Sequence, residues 1–219
     1  MWCVGVLTKE YRQRMYDLLD LYAPPWCADE PVICIDEKSK QLLRDSRPSL
    51  LMSPGKPKRI DYEYVRSGTC NVFVAVEPGG GQRITQVTER RGKIDFVRFA
   101  QHLISHVYRS ARRIHLVVDN LNTHFAKCFV EILGAKAAHQ LLRRVVFHYT
   151  PKHASWLNMA EIEIAALGRQ CLNRRIPDRV TVEREVSAWE HRRNAERRTI
   201  QWTFTRQRAD RKLRAHYVS

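Results

Sequence analysis

The sequence predicts an α/β fold, a mixed β-sheet flanked by helices. Three observations carry that prediction. Short apolar runs at 31–36, 68–76, 83–88, 114–119 and 144–150 have the length and β-branched content of strands. Stretches of helical period at 95–108, 124–139 and 161–172 alternate with the later runs. The resulting order joins a hairpin meander to a β-α-β-α-β-α series, the pattern of a mixed sheet covered by helices.

Taken in order, residues 8–22 place Tyr11, Met15, Leu18, Leu19 and Tyr22 at helical spacing behind Thr8, a suitable N-cap. Ala23-Pro24-Pro25 ends that helix. Residues 1–30 therefore read as a connector helix, and 31–175 as the main domain. The first strand closes on Asp36. Residues 37–67 hold E-K-S-K, S-R-P-S and S-P-G-K-P-K-R, and their prolines and basic run predict an inserted extended loop. Val72, Val74 and Val76 share one face of the next strand. The turn E-P-G-G-G returns the chain into 83–88. Phe96, Phe99, Leu103 and Val107 form one stripe of a helix. His102 and His106 stand at i, i+4 but lack the glutamate of a zinc-protease motif, so both are expected in solvent. Residues 176–219 read by pattern as a basic, helical carboxyl-terminal extension, with Val182, Val186 and Trp189 along one face. Two readings of that tail stand side by side, a helix packed on the domain and a DNA-backbone contact.

Lysine and arginine number 38 against 23 acids, a formal net charge of +15. That excess favours a polyanionic partner, most often nucleic acid, although arginine-rich chains also follow from GC-rich coding. The 44% hydrophobic content is that of a globular chain. No apolar run is long enough for a transmembrane helix, and the amino terminus lacks signal-peptide regions. The six cysteines form no C-x-x-C. Cys34 and Cys128 fall in apolar stretches as expected buried thiols, consistent with a reducing cytoplasm.

Three acids have chemically informative contexts. Asp36 closes the run Val32-Ile33-Cys34-Ile35. Asp119 closes Ile114–Val118, and a carboxylate at the end of such a strand sits where α/β sheets place ligands. It is equally placed to cap the following helix. Glu161 opens an apolar helix after S-W-L-N. Phosphodiester cleavage by two Mg2+ ions about 3.5–4 Å apart needs oxygen ligands of this kind. Spacing leaves open whether the strands are neighbours.

The segments V-I-C-I-D-E-K-S-K (32–40), L-V-V-D-N-L-N-T-H (116–124), H-Y-T-P-K-H-A-S-W-L-N-M-A-E (148–161) and I-Q-W-T-F-T (200–205) resemble the mariner-like superfamily of DDE transposases, in its bacterial insertion-sequence branch. The resemblance covers nearly the whole chain. It implies an RNase H-like fold and a DNA transposase domain that hydrolyses phosphodiester bonds at transposon ends and transfers strands into target DNA. By motif position, Asp36, Asp119 and Glu161 are the implied metal-binding triad, for two Mg2+ ions that Mn2+ replaces. Glu163 is the rival for the third role, about 200° around the helix from Glu161. Asn120 and His124 are expected to position phosphates or waters. Asn158 is expected to cap the helix bearing Glu161, and Trp156 to plug the core below it. Glu37 is expected on the opposite face of the strand from Asp36. Lys38, Lys40, Lys152 and Arg169 are the expected phosphate contacts near the triad, and Lys56, Lys58 and Arg59 those of the loop. DNA and a second copy of the chain in a homodimer are the implied partners.

Family members carry amino-terminal helix-turn-helix domains, for which the sequence before Asp36 has no room, so end recognition is not expected of this chain. Two function classes stay open: the enzyme, and an inactive remnant that binds DNA or full-length transposase. A host RNase H-like nuclease is the third reading, disfavoured by S-W-L-N-M-A-E.

Overall fold

The centre of the sheet is β1 (Val32–Asp45), and the strand order is β3-β2-β1-β4-β5. β2 (Tyr64–Glu77) pairs antiparallel with β1, setting Asp36 opposite Val74 and Glu37 opposite Phe73. β3 (Gln82–Thr88) returns antiparallel along β2. β4 (Ile114–Val118) and β5 (Val145–Tyr149) run parallel to β1. This is the mixed, RNase H-like sheet that the sequence implies. A computed structural model provides this description for residues 7–47, 52–56, 61–121 and 123–217.

Strand alternation feeds two cores. Ile33, Ile35, Phe73, Leu116 and Val118 point to one face. That face is covered by α2 (Lys93–His102), its π-helical continuation Leu103–Val107, α3 (Ala126–Leu133) and α4 (Ala135–Leu142). Val72 and Val74 point the other way, against α5 (Ala160–Leu167), its π-helical continuation Gly168–Leu172, and α6 (Arg179–Glu196). Beside them, Cys34, Val76 and Val117 meet Met15 and Leu18 of α1 (Lys9–Tyr22), and Ala209 of α7 (Arg206–Leu213) joins the same cluster. Thr8 caps α1 by accepting from Tyr11 N–H at 3.1 Å. Asp17 of α1 reaches His148 Nδ1 at 2.7 Å, and His148 Nε2 lies 2.9 Å from His115 Nδ1, which pins α1 across β4 and β5. Among the described residues no helix is long and apolar enough to cross a membrane.

Three sequence expectations are corrected. Residues 37–45 and 64–67 are not loop: β1 runs to Asp45 and β2 starts at Tyr64, leaving 46–63 as the connection. The physical reason is lateral pairing. β4 pairs only with Val32–Cys34, so β1 and β2 continue as a two-stranded arm. Residues 64–69 are exposed there, and polar residues are what an arm wetted on its surface carries. The arm is tied down by Leu43 N–H to Ile176 O at 2.8 Å and by Arg175, which donates to Asp45 Oδ1 at 2.8 Å and Glu63 O at 3.1 Å. The single helix expected over 124–139 is two, α3 and α4, broken at Gly134, whose φ of 80° suits glycine. Finally, residues 103–107 and 168–172 widen into π-helical turns at the ends of α2 and α5. Of the basic loop residues, Lys56 is exposed beside a turn closed by Ser53–Lys56 backbone hydrogen bonds. Lys58 and Arg59 lie outside the described residues.

α6 is a packed helix. It buries Val182, Val186 and Trp189 against β2 and β3. It also contributes to a buried ion triad: Glu163 of α5 accepts from Arg83 of β3 at 2.7 Å and from Arg193 of α6 at 2.8 Å. Arg83 and Glu163 side chains are 0% and 1% exposed. Burial opposes the Glu163 charge, but the two guanidinium groups outweigh it and hold the carboxyl below its usual range. Removing one partner from such a cluster leaves uncompensated charge in the interior and costs about 3–5 kcal/mol. Glu163→Ala is therefore expected to lower the unfolding free energy by about that amount, measured by urea denaturation, whereas Glu161→Gln changes it little.

Candidate active site

The site forms where β4 ends alongside Asp36 in the interior of β1, beside the start of α5. Asp36 and Cys34 alternate toward the face of α5 and α1, while Ile35 and Glu37 alternate toward α2. Asn158 fixes α5 to this site. Its Nδ2 donates to Ile35 O at 2.9 Å, and its Oδ1 accepts from Ala160 N–H at 3.1 Å. Asn158 O accepts from Glu161 N–H at 3.1 Å. The first turn of α5 is thus held to the residue preceding Asp36. Below it, the short 3-10 turn Ser155–Leu157 is secured by Tyr22 Oη, which donates to Leu157 O at 2.9 Å. Trp156 is half-buried, stacked near Trp202 with centroids 6.4 Å apart and edge-on to Phe204 at 5.4 Å. The S-W-L-N and I-Q-W-T-F-T segments therefore pack on each other.

Burial pushes the Asp36 carboxyl up to about 7. The N–H of Glu37 donates to Asp36 Oδ1 at 2.7 Å and works against the rise, while the charges of Glu161, Glu37 and Asp119 add to it. Asp36 thus lies within the electrostatic reach of both other acids. Asp119 Oδ1 accepts from Leu121 N–H at 3.1 Å and lies 2.5 Å from His124 Nδ1. His124 Nε2 faces Glu37 Oε2 at 3.5 Å. Burial also raises the Glu37 carboxyl, with the His124 and Arg91 charges opposing and that of Asp119 adding.

A family model described as DDE superfamily endonuclease matches residues 31–183, more than half of the chain. The chain belongs to the DDE superfamily endonucleases. No curated protein matches it significantly. Among solved structures, the chain is similar to a pre-cleavage Mos1 transpososome (15% identity, TM-score 0.60, covering 99% of this chain and 65% of that one). It is also similar to the Mos1 mariner paired-end complex with Mg (14%, 0.59, 100% and 66%) and to the Mos1 strand transfer complex (15%, 0.57, 87% and 57%). At these identities the likeness is one of fold. The chain spans 57–66% of the length of these Mos1 chains.

Within this DDE endonuclease the predicted site residues divide. Asp36 lies within β1 on the face of α5, Asp119 follows β4, and Glu161 sits in the first turn of α5, with the charges of the latter two acting on Asp36. Glu163, the rival acid, is consumed by Arg83 and Arg193. Three expected DNA contacts are engaged within the protein. Lys40 donates through Nζ to Leu172 O and Arg174 O, both at 2.7 Å, satisfying carbonyls at the end of the π-helical turn. Asn120 accepts from Arg14 of α1 and donates to Thr150 O. His124 is buried, its ring 4.3 Å from that of Phe96. In each case the side chain is engaged with a protein partner; Lys40 and Asn120 are half-buried and His124 is buried. Lys152 and Arg169 are exposed, and Lys38 is half-buried, its stem passing over Gly168. His102 and His106 are exposed as expected, with their rings stacked at 5.4 Å. Sequence reading missed Arg14, Arg83 and Arg193, which nothing in spacing distinguishes from surface arginines.

The donor set fits a hard divalent cation: carboxylate oxygens only, with one acid driven toward its neutral form by burial and by its neighbours. Among the described residues no three His, Cys, Asp or Glu side chains are grouped so that they could hold a metal ion as they stand, and Asp119 Oδ1 is turned to His124. The electrostatics give a measurable consequence. Asp36 binds its proton more tightly folded than unfolded, so its protonated form favours the native state. That contribution is complete below about pH 4 and is lost as pH rises to about 7. In metal-free buffer, Asp36→Asn is expected to match wild-type stability near pH 4 and to exceed it by pH 8. A wild-type pH slope that survives in Asp36→Asn would assign it to another group.

Proposed function

We propose that this chain is the catalytic part of a DNA transposase, hydrolysing phosphodiester bonds at transposon ends and joining the freed strand to target DNA. The reading is supported by family membership together with the placement of Asp36 within β1, Asp119 just after β4 and Glu161 in the first turn of α5. Bound there, two Mg2+ ions, or Mn2+ in their place, supply activation of the attacking oxygen and charge stabilisation at phosphorus and leaving group. The chain's own residues do the rest. Asp36 and Asp119 present oxygens from adjacent parallel strands, and Glu161 presents its own from a helix start. Asn158 keeps that helix in register with β1, so the carboxylates are positioned before substrate arrives. Lys38, Lys152 and Arg169 are proposed to hold phosphates at this site, with Lys56, Lys58 and Arg59 contributing from the 46–63 connection. The exposed two-stranded arm, with Tyr62 84% exposed at its outer end and Met52 73% exposed in the connection, is proposed to serve the homodimer contact. Mos1 is seen in paired-end and strand-transfer complexes, which supports DNA as the substrate.

Purified chain is expected to nick duplex DNA only with Mg2+ or Mn2+, and Asp36→Asn, Asp119→Asn or Glu161→Gln to abolish nicking with DNA affinity retained. DNA binding without nicking under any divalent condition would instead select the remnant reading. Binding itself should be electrostatic. If roughly five to eight basic side chains reach phosphates, the logarithm of affinity falls with the logarithm of salt at a slope of about −4 to −7. Phosphate contacts carry no base information, so two unrelated duplexes should titrate alike. A slope near zero would remove the phosphate-contact model.

A further inference from the structure

The pair formed by Glu37 and His124 has no role in the carboxylate chemistry described above, yet it is one of the most enclosed polar groupings in the molecule. The His124 side chain is 1% exposed and that of Glu37 is 3% exposed. They approach from different elements, Glu37 from β1 and His124 from the segment before α3. Glu37 lies on the side of β1 opposite Asp36, so it is not a fourth ligand. His124 spans the distance around the strand end: Nδ1 stands 2.5 Å from Asp119 Oδ1, and Nε2 stands 3.5 Å from Glu37 Oε2. Phe96 packs on the ring at 4.3 Å between centroids and blocks its rotation on one side. Glu37 Oε2 is buried and has no hydrogen-bond partner among the described residues. A buried carboxylate oxygen without a donor is costly. The imidazole nitrogen facing it is the group placed to satisfy it.

We propose that Glu37 and His124 are positioning residues that fix the rotamer of Asp119, leaving its second oxygen, Oδ2, directed to the cation site. The inference rests on the triad reading above. Carrying a proton on each nitrogen, the ring points Nε2–H toward Glu37 Oε2, which sets its orientation, and donates Nδ1–H to Asp119 Oδ1. Leu121 N–H donates to the same Asp119 oxygen at 3.1 Å. A free aspartate at a strand end samples several rotamers, and a cation must select one. With Oδ1 anchored, that selection is already made. Carboxylates that ligate metals commonly depend on such outer hydrogen bonds, and losing one weakens metal binding about 10–100-fold. The D-N-L-N-T-H segment is thereby assigned as internal scaffolding: Asn120 ties the Asp119 turn to α1 and β5, and His124 ties it to β1.

The test uses Mn2+ as the probe, its free concentration followed by electron paramagnetic resonance on the whole chain. His124→Asn keeps an amide nitrogen near the Nδ1 position, whereas His124→Gln keeps one near Nε2. His124→Asn is expected to bind Mn2+ within about threefold of wild type, and His124→Gln about 10–100-fold more weakly. Glu37→Gln, which conserves shape, should weaken binding in the same direction as His124→Gln. DNA affinity and melting temperature are read in parallel and should stay near wild type. Equal Mn2+ loss in both His124 variants, or none in either, overturns the positioning role. Unchanged Mn2+ affinity in Asp36→Asn and Glu161→Gln would overturn the triad itself, and the inference with it.

Discussion

Asn158 touches both halves of the candidate active site. Its side-chain amide donates to the carbonyl of Ile35, and its oxygens receive the N–H groups of Ala160 and Glu161. The residue after Ile35 is Asp36. One buried side chain therefore sets the distance between a strand-borne acid and a helix-borne acid. Neither acid can be placed by its own packing, since both must present oxygen to solvent or ligand. The rest of the molecule supports that single bracket. Tyr22, Trp156 and Trp202 brace the turn leading into Asn158, and the Arg83–Glu163–Arg193 triad grips α5 one turn further on. A helix with apolar residues almost all round would otherwise slide on an apolar sheet, because apolar contacts are non-directional. Directional bonds at Asn158 and Glu163 remove that freedom.

The element order was legible in the sequence because it rests on periodicity, and so was the place of Asp119 just after its strand and of Glu161 at its helix start, which local pattern encodes. What was not legible depended on neighbours far along the chain. Lys38, Ser39, Lys40 and Gln41 look like loop residues because a strand paired on one side only needs no apolar face. Gly134 splits a helical period without disturbing its spacing. Asn120 and His124 were read as groups for phosphate, since residue type says nothing about depth. Depth came from Arg14, Thr150, Phe96 and Glu37, all brought in by tertiary structure. The Asn158 cap was legible, because it acts within three residues of the helix it serves. The bond from Asn158 to Ile35 was not, since it joins positions more than a hundred residues apart.

Charge behaves in the same way. A formal +15 suggests a surface covered in free cations, but several of these side chains serve the interior. Arg144 donates to the carbonyls of Tyr108, Arg109 and Ala111, closing the end of the π-helical turn after α2. Lys40 closes the corresponding turn after α5, and Arg83 and Arg193 neutralise Glu163. Widened helix ends leave carbonyls that lack intrahelical donors, and long basic side chains reach them. The charge left for a polyanionic partner is therefore the exposed remainder, which includes Lys152 and Arg169.

That division bears on whether the chain is a catalyst or a remnant that only binds. Binding needs exposed cations and a stable sheet, and the three acids serve neither. They work against both, because Asp36 is buried beside Glu161 and Asp119 at a cost in stability, and because negative charge repels phosphate where the basic residues gather. A site that burdens the fold in this way, and is braced by Asn158, His124 and Glu37 to keep its geometry, has the character of a functional site whose strain is offset elsewhere. A cation accounts for all of these features together, since it neutralises the acids, draws in the phosphate, and gives the bracing something to position. That favours the catalytic reading.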